Sequence, residues 1–164
     1  MQQASEQLNP YARFLGEADF FSVLESTASH LSSLLDGVSV ERLVRRPAPE
    51  KWSAREILCH LADTEMVFAC RLRQTAAEAH HVIQTFDQDR WAAPYGELTA
   101  QDAVDAFRAA RRWNLLFVQA MGPAVLTRPV THPERGVMTF QAILETMAGH
   151  DVNHLNQLAA LVAE

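Results

Sequence analysis

The sequence is short of the features that define several large classes of protein. It has two cysteines, Cys59 and Cys70, eleven residues apart on one predicted helix. At the α-helical rise they sit about 16 Å apart, beyond disulfide reach, so no covalent framework holds this fold. Both read as small buried hydrophobes in a reducing compartment. No run approaches the 18 or more apolar residues of a membrane span, and residues 1–20 lack a basic start followed by an apolar stretch. Positive charge is scarce as well: 14 Lys and Arg against 20 Asp and Glu give a formal charge of −6, with a pI near 5.6. Nucleic acids are bound by clustered Lys and Arg, which argues against them as the main partner. Arg42, Arg45, Arg46 and Lys51, like Arg108, Arg111 and Arg112, are interleaved with acids and read as solvated faces. The expectation is a cytoplasmic protein with no membrane or nucleic-acid partner.

What the chain does have is a core-forming composition. Hydrophobic residues make up 48% and charged residues 21%, too apolar for disorder and ordinary for a globular protein. It reads as a single domain over 1–164, large enough to hold a core without staples or metal. Four segments carry helical periodicity and none shows convincing alternation. Asn9-Pro10 offers a cap and a first-turn proline for a short helix through Leu15. The first long helix is predicted from about Asp19 to Asp36, with Phe20, Leu24, Thr27, Leu31, Leu34 and Leu35 inward and Gly37 as its stop. Ser39 to Leu43 adds one turn before Arg46-Pro47-Ala48-Pro49. The second long helix opens on a capping box, Ser53-Ala54-Arg55-Glu56, with Trp52 and Ile57 as a hydrophobic staple, and runs to about Ala79. The third runs from Thr99 to the Gly122-Pro123 stop, with Val104, Phe107, Arg111, Asn114, Leu115 and Val118 on one face. The fourth begins at Thr139 and points Phe140, Ile143, Leu144, Met147, His150, His154, Leu158 and Leu161 inward. Residues 80–98 and 123–138 read as irregular. Four helices of about five turns each make an all-α four-helix bundle.

Seven histidines raise the question of a metal. His150 and His154 lie four apart, one above the other on a face that points into the bundle. Two adjacent buried imidazoles must each find a partner or share a cation. His60 is the best third ligand, seven residues past the Ser53 cap on the inward side of the second helix. If the second and fourth helices run antiparallel, His60 and His154 sit at one height. In simple up-down-up-down order they would differ by about 12 Å. The long connection between the second and third helices permits the former arrangement, as a crossover giving up-down-down-up order. Two readings stand at this point, a three-histidine site and separately satisfied core histidines. His80 and His81 read as loop-facing, His132 as exposed in a loop, and His30 as off its stripe.

Lys51-Trp52-Ser53-Ala54-Arg55-Glu56-Ile57-Leu58-Cys59-His60-Leu61-Ala62-Asp63-Thr64-Glu65 resembles the second-helix signature of the DinB-like family of damage-inducible bacterial proteins. Ala148-Gly149-His150-Asp151-Val152-Asn153-His154-Leu155-Asn156-Gln157-Leu158 resembles its last-helix H-x-x-x-H motif. The likeness extends over most of the chain, including Phe86-Asp87-Gln88-Asp89-Arg90-Trp91. It implies a four-helix bundle with a long second crossover and a divalent ion on three histidines, which by position are His60, His150 and His154. It also implies a small-molecule substrate and a homodimer. The activities it implies are several: S-transfer with a low-molecular-weight thiol such as bacillithiol or mycothiol, isomerisation of maleylpyruvate in one branch, or metal-dependent hydrolysis.

Three neutral imidazoles leave such an ion its full charge and an open position, the pattern of a catalytic site that lowers the pKa of a bound water or thiol. The ligand type points to Zn, Ni or Fe. Asp63, Glu65 and Asp151 are the carboxylates to consider as partners that orient the ligands. No catalytic base follows from the sequence; Glu65 is a candidate that otherwise reads as a surface acid. Trp52, Trp91, Tyr95 and Asn114 are candidates for the pocket mouth, against a staple role for Trp52 and loop-anchor roles for Trp91 and Tyr95. Arg111 shares the face of Asn114. The expectation is a metal-dependent thiol S-transferase or hydrolase; the alternative is a non-catalytic metal-binding or dimeric module in stress response.

Overall fold

Helix starts are set here by side chains that satisfy free backbone amides. The computed structural model describes residues 9–163, so residues 1–8 and 164 of the expected 1–164 domain lie outside the described residues. Asn9 Oδ1 accepts from the Tyr11 amide at 2.9 Å, ahead of a short helix, α1 (Ala12–Leu15). Asp19 caps α2 (Phe20–Leu35) and Ser39 caps α3 (Val40–Val44). α4 (Ala54–Ala77) opens on the complete capping box: Ser53 Oγ accepts from the Glu56 amide at 3.3 Å, and Glu56 Oε2 accepts from the Ser53 amide at 2.8 Å. Arg46 pairs with the same carboxylate and donates to the Pro49 carbonyl at 3.2 Å. One glutamate thus joins loop, cap and helix. α5 (Gln88–Trp91) and a 3-10 turn at Tyr95–Glu97 lie in the next connection. Thr99 caps α6 (Ala100–Met121), and a second 3-10 turn, Pro123–Thr127, precedes a hairpin and α7 (Phe140–Ala163). Among the described residues no helix is long and apolar enough to cross a membrane.

The four long helices form the bundle. α4 packs against both α6 and α7, α2 packs against α7, and the contact of α2 with α6 is thinner. Two buried clusters mark its ends. One joins Leu31 of α2, Ala54 and Leu58 of α4, Val104 and Phe107 of α6, and Leu158 of α7. The other joins Leu24, Leu72, Val118 and Phe140 of the same four helices. The early turns of α4 and α6 therefore share one end with the late turns of α2 and α7, and α4 lies antiparallel to α7.

Two stretches differ from expectation: residues 80–98, read as irregular, hold the short helix α5 and a 3-10 turn. Residues 123–138 were expected to be irregular, yet β1 (Pro129–His132) and β2 (Gly136–Thr139) form an antiparallel hairpin in which Val130 pairs with Met138. Four-residue strands are too short to show alternation, and of β2 only Met138 is buried. The connection after α4 joins this hairpin, because the Ile83 amide donates to the Thr131 carbonyl at 2.8 Å and the Thr131 amide to the His81 carbonyl at 3.0 Å.

α1 lies on α7, and the contact is made at a glycine. A Cβ built on Gly149 would stand 2.5 Å from the Tyr11 carbonyl oxygen and 2.8 Å from Tyr11 Cβ. The backbones approach so closely that only glycine fits without a shift.

The Glu56 junction makes a measurable contribution. Burial raises its carboxyl pKa, but the hydrogen bonds from Arg46 and Ser53 outweigh this and leave it below its ordinary value of 4.5. A lowered carboxyl stabilises the fold above its unfolded pKa, and that stabilisation fades as pH falls through the folded value. Glu56→Gln is expected to cost about 1 kcal/mol at pH 7 in urea denaturation, with the gap to wild type narrowing as the pH falls below about 4.5.

Candidate metal centre

His60 projects from the second turn of α4, and His150 and His154 from consecutive turns of α7. The three rings meet in the antiparallel α4–α7 seam, with centroids 5.1 Å (His60–His150), 5.0 Å (His60–His154) and 4.4 Å (His150–His154) apart. One nitrogen from each lies within 4.8 Å of the other two, and among the described residues this is the group of His, Cys, Asp or Glu able to hold an ion. His60 Nε2 and His150 Nε2 are 3.1 Å apart. Two nitrogens bound to one ion at 2.0–2.1 Å are separated by about 2.9 Å in octahedral and about 3.3 Å in tetrahedral geometry. The pair has the spacing of neighbouring ligands.

The protein also prepares the protonation state. All three residues are 6% exposed or less. Burial first, then the neighbouring His154, brings the His60 pKa down to about 3. Burial brings His154 down to about 4, against the opposing hydrogen bond with Gln157. Burial, the other two rings and Arg111 push His150 well below its ordinary range. At neutral pH all three imidazoles are uncharged and carry a free lone pair.

The tautomer of one is set. His154 Nδ1 lies 2.9 Å from Gln157 Oε1; an amide oxygen can only accept, so Nδ1 carries the proton and Nε2 keeps the lone pair. His60 Nδ1 is buried without a partner. If His60 and His150 bonded only to each other, one Nε2 would have to donate its proton. A shared cation lets both nitrogens use their lone pairs, and the donor set fits that group.

Aromatic rings wall the cluster. Trp52 lies 5.0 Å from the His60 ring, and Tyr11 meets His150 edge-on at 5.1 Å. Behind it, Arg111 is buried with all five of its N–H groups engaged. Nε and Nη2 donate to the two Glu65 oxygens at 3.0 and 2.7 Å; Nη1 and Nη2 donate to the two Asp151 oxygens at 2.6 and 3.1 Å; Nη1 also donates to the Leu24 carbonyl at 3.0 Å. Thr27 donates to Asp151 at 2.8 Å and Asn114 to Glu65 at 2.8 Å. Two cavities open on the histidines. A cleft of about 740 Å³ reaches His60 and His154 past Trp52 and Lys51. A pocket of about 240 Å³ reaches His60 and His150 past Arg71, His132 and Arg135. Tyr11 and Gln88 border both.

The secondary candidates divide. Glu65 is neither a surface acid nor a free base: it is 1% exposed and committed to Arg111 and Asn114. None of the three acids considered as ligand-orienting partners is bonded to a ligand histidine, since Asp151 clamps Arg111 and Asp63 accepts from the Tyr95 hydroxyl at 2.7 Å. Gln157 takes the orienting role at His154, and its place one turn on, along the same face, was the available signal. Tyr95 is a buried loop anchor, whereas Trp91 is 43% exposed and packs on Phe86. Arg111 and Asn114 face the buried polar cluster. His132, read as exposed, is 4% exposed, with Nδ1 accepting from the Glu134 amide at 3.2 Å. His81 is likewise buried and pairs with Glu78. Cys59 is buried, with its thiol pushed up by burial to about 11; Cys70, read as buried, is exposed and bonds to Gln74.

Arg111→Met leaves two carboxylates buried without their cation. It is expected to cost about 3–5 kcal/mol of stability, measured by urea denaturation of the metal-free protein.

The family model described as the DinB superfamily matches residues 24–158. A protein of Oceanobacillus iheyensis named "putative metal-dependent hydrolase" is 29% identical over 112 residues, 67% of this chain and 64% of its own length. A Bacillus mycoides protein of the same description is 26% identical over 113 residues, again 67% of this chain and 64% of its own length. The chain thus spans just under two thirds of these relatives. YfiT from Bacillus subtilis, described as "a probable metal-dependent hydrolase with an unusual four-helix bundle topology", superposes with a TM-score of 0.76 at 17% identity, covering 86% of this chain and 84% of that one. The shared property is the bundle fold.

Proposed function

This chain belongs to the DinB superfamily, and on that premise we propose that it is a metal-dependent hydrolase of a small molecule, with one divalent ion held by His60, His150 and His154. The observation that carries the reading is the convergence of three uncharged, buried imidazoles, two of which, His60 and His154, line a cleft of about 740 Å³, within the size range of small-molecule sites. Bound there, the ion supplies Lewis acidity that makes a nucleophile available at neutral pH. Zn, Ni and Fe suit three nitrogen donors.

The remaining parts are this chain's own. Gln157 fixes the His154 ring and its proton, while Trp52 and Tyr11 cover the other two rings and keep bulk water off them. The interior acids are locked, which leaves Glu50 and Asp89, both exposed on the lining of the cleft, as the acids open to it. The cleft has room for a low-molecular-weight thiol beside a substrate. Thiol S-transfer is therefore the second reading of the same centre.

Metal analysis of the purified protein, beside a panel of ester, amide and thiol-transfer substrates, tests both. One ion per chain is expected, falling to none in His154→Ala together with turnover on any active substrate. Gln157→Ala is expected to weaken metal binding about 10- to 100-fold. Full turnover by a metal-free His154→Ala protein would refute the proposal. A bound ion whose removal lowers the melting temperature, with no reaction anywhere in the panel, would assign the non-catalytic role instead.

A further inference from the structure

The smaller pocket differs in charge from the cleft. Arg71 of α4 enters it with its guanidinium 5.7 Å from the Phe68 ring, and its Nε is buried with no hydrogen-bond partner. A guanidinium does not give up its proton, so an unmet buried N–H calls for an acceptor. The fully buried Arg111 is treated differently: it has two carboxylates and a carbonyl. Among the described residues no carboxylate pairs with Arg71 or Arg135. Instead Arg135, half-buried in the hairpin turn, lies close enough for its charge to disfavour that of Arg71 and the protonation of His132. The acid of the pocket, Glu134, is exposed and acts on His132. Two like charges are held together beside three uncharged imidazoles, and among the described residues no carboxylate forms an ion pair with either.

We infer that Arg71 and Arg135 form an anion-binding subsite beside the three-histidine centre, so that the substrate carries a carboxylate or phosphate group close to the bond that reacts. At about 240 Å³ the pocket suits such a group rather than a whole molecule. His60, Tyr11 and Gln88 line both cavities, which leaves the larger cleft for the rest of the substrate. The position relative to the reacting bond rests on the proposed hydrolase; the anion site itself does not. A paired guanidinium site recognises the planar or tetrahedral oxygens of an oxyanion and discriminates against a neutral amide of the same shape.

The test is titration of the full chain, metal-free and zinc-loaded, with succinate, inorganic phosphate and succinamide, followed by amide chemical shifts in NMR. Succinate or phosphate is expected to saturate the metal-free protein and succinamide is not. Tighter succinate binding assigns a carboxylate substrate, and tighter phosphate binding a phosphate ester. Arg71→Gln and Arg135→Gln are each expected to weaken the anion at least about tenfold while still binding one zinc. Arg90→Gln, whose side chain is 88% exposed, leaves binding unchanged. Arg135 lies on a turn, so its variant reads the loss on a folded protein. His154→Ala loses zinc and keeps the anion, which separates failure of the metal centre from failure of the subsite. Absence of saturable anion binding by wild type, or equal binding by both glutamine variants, overturns the inference.

Discussion

The structure depends on one buried cation. Arg111, on α6, reaches Glu65 on α4, Asp151 on α7 and the Leu24 carbonyl on α2, so a single guanidinium touches all four long helices. A charge taken out of water is tolerated only when its hydrogen bonds are complete and its counter-charges adjacent. Sliding α7 by one turn would pull Asp151 from its partner. Asp151 follows His150 in the chain, and Glu65 lies five residues beyond His60. The register that satisfies Arg111 is therefore also the register that brings the imidazoles together. Apolar packing at the two ends of the bundle supplies the burial but tolerates rearrangement more readily than a five-bond clamp does.

The centre in front of this clamp is built by contrast with it. Behind the rings, charges are paired and saturated; among the rings, charge is excluded and lone pairs are exposed to one another. Desolvation does both. It makes the unpaired form of Arg111 costly and the protonated form of each histidine costly, so the same dry interior holds a salt-bridge network and a neutral donor set.

Much of this was legible in the residues. The Ser53–Glu56 box, the Thr99 cap and the Gly122 stop announce themselves locally, since a cap is a contact between residues three apart. The i, i+4 histidine pair and the inward phase of His60 are likewise properties of single helices. What could not be read depends on contacts across the fold. Glu65 looks like a surface acid until the helices are assembled around it, and the inward phase of Arg111 does not by itself name its partners. The hairpin of β1 and β2 is too short for period-two alternation, and the burial of His132, the last residue of β1, depends on how that hairpin packs. Cys70 was misjudged because the outer side of α4 faces solvent beyond the reach of α6 and α7.

Gly149 carries a consequence of a different sort. Its missing side chain lets Tyr11 settle on α7 next to the His150 ring. Any larger residue at this place would act as a wedge, prising the opening segment of the chain off the last helix and baring one edge of the metal-ligand triad to water. The shelter of that edge is thus encoded far along the chain from the tyrosine that provides it, and a lineage could surrender the glycine only by finding another roof.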